Sequence, residues 1–314
     1  MTDPLGPEPL VAVIIPALNE AGKIGRVLDK LPRDGRFEAI VVDDGSTDRT
    51  REIAVGHAVA PKVIASPRPG ASAARNAGLA VATGEAIVFL DADDQLKPGA
   101  LERRARALAE SGPNTIVVTD HVELVDGRES PSRTQPDFGG DPREALLGSN
   151  RFAVHAAMVS HELLDRVPGP FDEGLTTYED WALWLRLALL GAEFRVIDVA
   201  DCEYRIRLEG MTTDRRRARG DGIRVIQLAR AWVAQVPAAD RGWLEAVRRR
   251  TLRYLLWLEA RAAVKRGNLI AGAFYAFRAL AISPAVTAAQ AWRKAGRLAR
   301  AAAHRLSPRA RGSR

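Results

Sequence analysis

Cysteine is almost absent: Cys202 stands alone in 314 residues. That excludes a disulfide scaffold and any zinc site built from cysteines, and it fits a reducing compartment. The chain also lacks a GxxxxGK[ST] phosphate loop and a GxGxxG run after its first apolar segment. P-loop and dinucleotide-binding readings are thereby removed. Long apolar runs are missing too. The nearest approach, Leu269–Ala291, is interrupted by Arg278 and Pro284, which argues against a membrane-spanning helix. The opening MTDPLGPEP is acidic and proline-rich, without the basic start and extended apolar stretch of a secretory signal. The expectation is a cytoplasmic protein, soluble or peripheral at the inner face of the membrane.

What is present is a core and an uneven charge. Apolar residues make up 46% and charged residues 27%, enough to bury a sizeable interior and to exclude wholesale disorder. The net charge of +7 hides a division. Residues 241–314 carry 17 basic side chains against only Glu245 and Glu259, a net +15, whereas residues 1–240 sum to −8. Length and charge together predict two parts: residues 1–220, and a basic, amphipathic helical region over 221–314.

Over residues 10–120 apolar runs alternate with helical patterns. VAVIIP (11–16), EAIVVD (38–43), KVIAS (62–66), EAIVFL (85–90) and TIVVTD (115–120) read as strands. Helical patterns lie between them at 21–31, 48–58, 71–82 and 98–111. Such alternation predicts an α/β fold with a mostly parallel sheet flanked by helices. Residues 126–142, rich in Gly, Pro and charge, read as a loop. FAVHAAMVS (152–160) and FRVIDV (194–199) read as further strands, and EDWALWLRLALLGA (179–192) as an apolar helix. Beyond Gly220 the strand-like runs stop, and Ala, Arg, Leu and Trp recur at helical spacing.

Four clusters can carry chemistry. Asp43-Asp44-Gly45-Ser46-Thr47-Asp48 follows a strand, where acids of open α/β sheets face a ligand crevice; Ser46 or Asp48 could instead simply cap the next helix. Asp91-Ala92-Asp93-Asp94 follows another strand. Its carboxylates repel one another unless a divalent cation offsets them, though Asp94 could also cap a helix. Glu179-Asp180-Trp181 opens the apolar helix. Acids are favoured there by the helix dipole, and a carboxylate so placed can also serve as a general base. In GASAARNAG (70–78), Arg75 can face a phosphate or a carboxylate, while Ser72 and Gly78 suit close packing on the sheet.

Together, VAVIIPALNE (11–20), VVDDGSTD (41–48), GASAARNAG (70–78), FLDADDQLKPGAL (89–101), YEDWALWLRLALLG (178–191) and YRIRLEGMTT (204–213) resemble the family 2 glycosyltransferases. The resemblance covers about residues 9–215. It implies a GT-A fold, an inverting transfer from a nucleotide-diphosphate sugar (UDP-linked in the first instance), and a divalent cation, Mn2+ or Mg2+. By the same resemblance Pro16, Asn19, Glu20, Asp44, Arg75 and Asp91 hold the nucleotide. Asp93 and Asp94, of the DxD segment, hold the metal, and Asp180 beside Glu179 is the base. The family's YRxH histidine position carries Arg207, which can pair with the departing diphosphate. The implied partners are the donor and a carbohydrate or lipid-linked acceptor, in cell-surface polysaccharide or glycolipid synthesis.

Two rival readings of the acidic body stay open: a metal-dependent nucleotidyltransferase, and a non-catalytic nucleotide-sugar-binding protein. The basic C-terminal helices, with Trp243, Trp257, Tyr275 and Trp292, suit either an anionic membrane surface or a bundle that buries its own apolar stripe. Nucleic acid is disfavoured, because no binding module accompanies the arginines.

Overall fold

A computed structural model describes residues 10–125, 127–133, 136–206 and 215–282. The chain divides into two compact units, Met1–Asp214 and Arg215–Arg314. In the first, β1 (Val11–Ala17), β2 (Phe37–Asp43), β3 (Lys62–Ala65) and β4 (Ala86–Phe89) run parallel in the order β3-β2-β1-β4. Val11–Ile15 and Ile40–Val42 are fully buried, as strands covered on both faces must be. The intervening helices are short: α1 (Ile24–Leu28), α2 (Thr50–Val55) and α3 (Ala71–Leu79). α3 lies so close to the sheet that a Cβ on Gly78 would stand 2.4 Å from Ile14 Cγ2 and 3.1 Å from Val42 Cγ2. Glycine is required there by packing.

Past β4 the sheet becomes mixed. The two-residue strand β5 (Gln95–Leu96) leads into α4 (Ala100–Ser111) and β6 (Thr115–Val125). Residues 126–142 are not wholly a loop, as their composition suggests. Arg128–Arg133 forms β7, antiparallel to β6, after Gly127 turns the chain at φ 78°. β7 pairs only with β6, a position where proline is tolerated because one ladder of N–H groups is not needed. α5 (Pro142–Gly148) follows, capped by Asp141. The run expected as one strand over 152–160 splits into a 3-10 turn, Val154–Ala156, and β8 (Ala157–Ser160). β8 is antiparallel to both β4 and β6. Then come α6 (His161–Asp165), α7 (Glu179–Leu189) and β9 (Glu193–Ile206). β9 is parallel to β6 and antiparallel to β5, which brings its far end beside the Asp91–Asp94 segment.

The second unit is helical in its described residues: α8 (Arg215–Val233), α9 (Ala238–Lys265) and α10 (Leu269–Ala281). Gly267, at φ 80°, and the Asn268 side chain, which accepts from Ala271 N at 2.9 Å, reverse the chain between α9 and α10. Gly272 lets these two helices approach, since a Cβ there would meet Val264 Cγ2 at 2.5 Å. Ile226, Ala229, Leu244, Leu256, Ala260 and Ala263 are buried. No described helix is long and apolar enough to cross a membrane.

Candidate active site

The ends of β1 and β2 are laced together by their own side chains. Asn19, in the left-handed region at φ 56°, donates from its backbone N to Ser46 Oγ (3.0 Å), and its Oδ1 accepts from Thr47 N (2.8 Å). Glu20 N donates to Thr50 Oγ1 (2.7 Å), and Ala21 N to Asp48 Oδ2 (3.1 Å). Asp48 also accepts from Thr50 N (2.9 Å), the capping role its position allows. Asp43 is buried and accepts from Ser46 N (3.1 Å). Asp44, half-buried, takes Gly70 N on both carboxylate oxygens, at 3.0 and 2.8 Å. Gly70 has φ 120°, a conformation that favours glycine, and it opens α3. Pro16 lies in β1 opposite Val42, and the Glu20 carboxylate pairs with Lys23 at 2.5 Å.

Arg75 is the hub. Only 3% exposed, it donates through Nη1 to Glu179 Oε1 and through Nη2 to Asp91 Oδ1, each at 2.6 Å. Its guanidinium carbon lies 5.3 Å from the centroid of the Phe171 ring. Asn76, the next residue, fixes Phe171 by donating to its carbonyl (2.9 Å) and accepting from its N–H (3.1 Å). One arginine therefore ties the acidic end of β4 to the first turn of α7. Burial alone would raise the Asp91 carboxyl, but the Arg75 charge holds it below the usual range.

The neighbouring acids behave differently. Asp93 is pushed up to about 7, first by burial and then by Asp94, Asp91 and Glu20. Asp94 is also raised by burial, against the charge of His155. Its Oδ1 accepts from Arg205 N at 2.7 Å, and its Oδ2 lies 3.0 Å from His155 Nδ1. His155 is completely buried; burial would lower its pKa, but the Asp94 carboxylate carries it well above the ordinary value. Donor atoms of Asp91, Asp94 and His155 lie within 4.8 Å of one another. Two carboxylates and a buried imidazole whose ring nitrogens have no hydrogen-bond partner suit Mn2+ or Mg2+ in chemistry and spacing. The sequence pointed to Asp91, Asp93 and Asp94, but not to His155.

On α7, Asp180 is buried and pushed up to about 7, by burial first and then by the Glu179 charge. Asn150 Nδ2 donates to its Oδ2 (3.1 Å) and Trp181 N to its Oδ1 (2.7 Å). Asn150, on the segment after α5, also escaped the sequence reading. Tyr178 precedes this pair at φ 62°, a costly conformation for a residue with a Cβ. Trp181 Nε1 donates to Leu146 O (2.6 Å) and anchors α7 on α5. Arg207 lies outside the described residues.

A half-parallel sheet with acids at its strand ends places the first unit in the GT-A class, and comparison with known proteins agrees. The model of the family described as glycosyl transferase family 2 matches residues 12–167. A PGL/p-HBAD biosynthesis glycosyltransferase of Mycobacterium bovis is 36% identical over 187 residues, 57% of this chain and 69% of its own length. An uncharacterized glycosyltransferase of Nostoc sp. is 35% identical over 125 residues, and the match spans only 38% of either chain. The crystal structure of S. aureus TarS 1-349 in complex with UDP-GlcNAc superposes with a TM-score of 0.66 at 18% identity, over 94% of this chain and 91% of TarS. That likeness is one of fold. The chain belongs to glycosyl transferase family 2.

Proposed function

We propose that this chain moves a sugar from a nucleotide-diphosphate sugar, UDP-linked in the first instance, to a hydroxyl of a carbohydrate or lipid-linked acceptor, with inversion at the anomeric carbon. The observation that carries this reading is Arg75, buried between Asp91 and Glu179, which joins the acidic strand end to the helix bearing Asp180. In this reading Pro16, Asn19, Glu20 and Asp44 line the nucleotide end of the site, and Arg75 serves it through Asp91. Asp93 and Asp94 face the diphosphate. When bound, a divalent cation supplies charge that stabilises the departing diphosphate oxygens.

Asp180 then acts as general base. Its carboxylate accepts the proton of the acceptor hydroxyl as that oxygen bonds to the anomeric carbon, and the bond from that carbon to the diphosphate oxygen breaks on the opposite face. Glu179 is neutralised by Arg75, which leaves Asp180 as the acid of the pair able to take up a proton near pH 7. Arg207, from its place in the sequence, is assigned to the leaving diphosphate. Residues 1–220 carry this chemistry. Residues 221–314 set location or acceptor access, and the exposed Ile270 and Phe274 beside Arg278 favour the anionic face of a membrane. The acceptor is assigned to cell-surface polysaccharide or glycolipid synthesis, in keeping with the name of the Mycobacterium bovis relative.

A panel of UDP- and GDP-sugars with Mn2+ or Mg2+ tests the reading through donor-induced thermal stabilisation and nucleoside diphosphate release. At least one donor is expected to raise the unfolding midpoint and to turn over. Stabilisation without any turnover would favour a non-catalytic binding protein.

A further inference from the structure

We propose that His155 supplies a nitrogen ligand to the divalent cation, so that the site is a mixed carboxylate–imidazole one completed by Asp91 and Asp94. This rests on the reading above, in which a divalent cation accompanies the nucleotide sugar. Neither ring nitrogen of His155 has a hydrogen-bond partner, although the residue is completely buried. Buried polar atoms are nearly always satisfied, and an exception calls for a missing ligand.

The close approach of His155 Nδ1 to Asp94 Oδ2, 3.0 Å, is out of line for a hydrogen bond. Two ligands held at about 2.1 Å from a six-coordinate ion, at right angles to each other, stand about 3.0 Å apart. The pair therefore has the spacing of adjacent ligands. Asp91 offers a third donor within 4.8 Å of both.

The groups behind these donors are already fixed. Asp94 Oδ1 is occupied by Arg205 N, which leaves Oδ2 for the shared site. The carbonyl of His155 accepts from Arg104 Nη1 at 2.7 Å. Arg104 is itself fully buried and held by Asp201, with Thr119 Oγ1 at 2.9 Å from its Nη2. α4, β6 and β9 thus all brace the 3-10 turn that carries His155. A brace of this kind orients a metal-ligating histidine and fixes the direction of its ring. It would be excessive for a core residue that touches nothing.

A nitrogen donor gives the site a transition-metal character, so Mn2+ should bind more tightly than Mg2+. Pulsed electron paramagnetic resonance on the full chain loaded with Mn2+ and UDP tests the assignment directly. The expected result is a nitrogen coupling that changes to the 15N pattern when histidine is isotopically labelled. The His155→Gln variant should lose that coupling and bind Mn2+ about tenfold or more weakly. His121→Gln should keep it; the two imidazole rings lie 6.0 Å apart between centroids.

If His155→Gln fails to fold, the labelled wild-type spectrum still decides whether an imidazole is bound. Mn2+ uptake without nitrogen coupling overturns the inference and leaves the transferase reading standing. A chain that neither binds nor turns over any nucleotide sugar overturns that reading, and this inference with it.

Discussion

In the α/β unit a buried arginine, Arg75, sits between two acids, Asp91 and Glu179. In the helical unit a buried acid, Glu259, sits between two arginines, Arg219 and Arg266. Glu245 repeats the second pattern with Arg248 and Arg249. The same two charges, in opposite ratio, do different work. Around Arg75 one cation cannot satisfy every neighbouring acid, and Asp93 and Asp180 are left resisting ionisation up to about pH 7. Such a surplus can accept a cation or a proton, which is the capacity a transferase site requires. Around Glu259 and Glu245 the acids are doubly satisfied, and the remaining arginines only build up positive charge. The first arrangement is reactive; the second is structural.

The sharpest test of that contrast is Asp180→Asn. It keeps the shape of the residue and removes the proton acceptor, so turnover should fall about 10²–10⁴-fold while calorimetry finds the donor bound as in the wild type. Loss of donor binding would move Asp180 into the nucleotide site. In the wild type the carboxyl is protonated below about pH 7 and cannot act as base. Turnover should therefore rise with pH through about 7, and this limb should be missing from the residual activity of Asp180→Asn.

Next in size is the pair Arg75→Met and Glu259→Gln, compared by urea unfolding. Removing Arg75 leaves two acids uncompensated and should cost about 3–5 kcal/mol. Glu259→Gln keeps a hydrogen-bonding group between its arginines and should cost about 1–2 kcal/mol. Equal losses would erase the distinction between the two units.

The smallest effect is expected at Glu245, whose carboxyl is lowered to about 2, chiefly by its hydrogen bonds with Arg248. A depressed carboxyl stabilises the fold above its unfolded value and ceases to do so as pH falls through its folded one. The contribution should be full near neutrality and fade from about pH 4.5 to about 2. Since these pairs are partly exposed, Glu245→Gln should cost only about 0.5–1 kcal/mol at pH 7, a cost that disappears in acid.

Much of the site could be read in the chain because its acids are tied to local patterns. Asp44 and Asp91–Asp94 follow apolar strand runs, and Glu179-Asp180 opens an apolar helix, so position within each element was visible. What escaped was pairing across long sequence separations. Arg75 looked like a phosphate ligand; its outer nitrogens instead meet Asp91, 16 residues away, and Glu179, 104 away. Arg104 falls in a charged helix, yet it is fully buried by Asp201, 97 residues on. His155 sits inside an apolar run, FAVHAAMVS, whose pattern says strand and nothing about Asp94. β7 was hidden because RESPSR has loop composition, and only its pairing with β6 makes it a strand.

The central claim is that the acid-rich unit transfers a glycosyl group by one displacement at the anomeric carbon. Nuclear magnetic resonance of the reaction with an α-linked UDP-sugar reports both products, phosphorus resonances for the leaving group and the anomeric proton coupling for the new linkage. The account predicts UDP together with a β-linked product. Pyrophosphate, or a product that retains the α configuration, would contradict it.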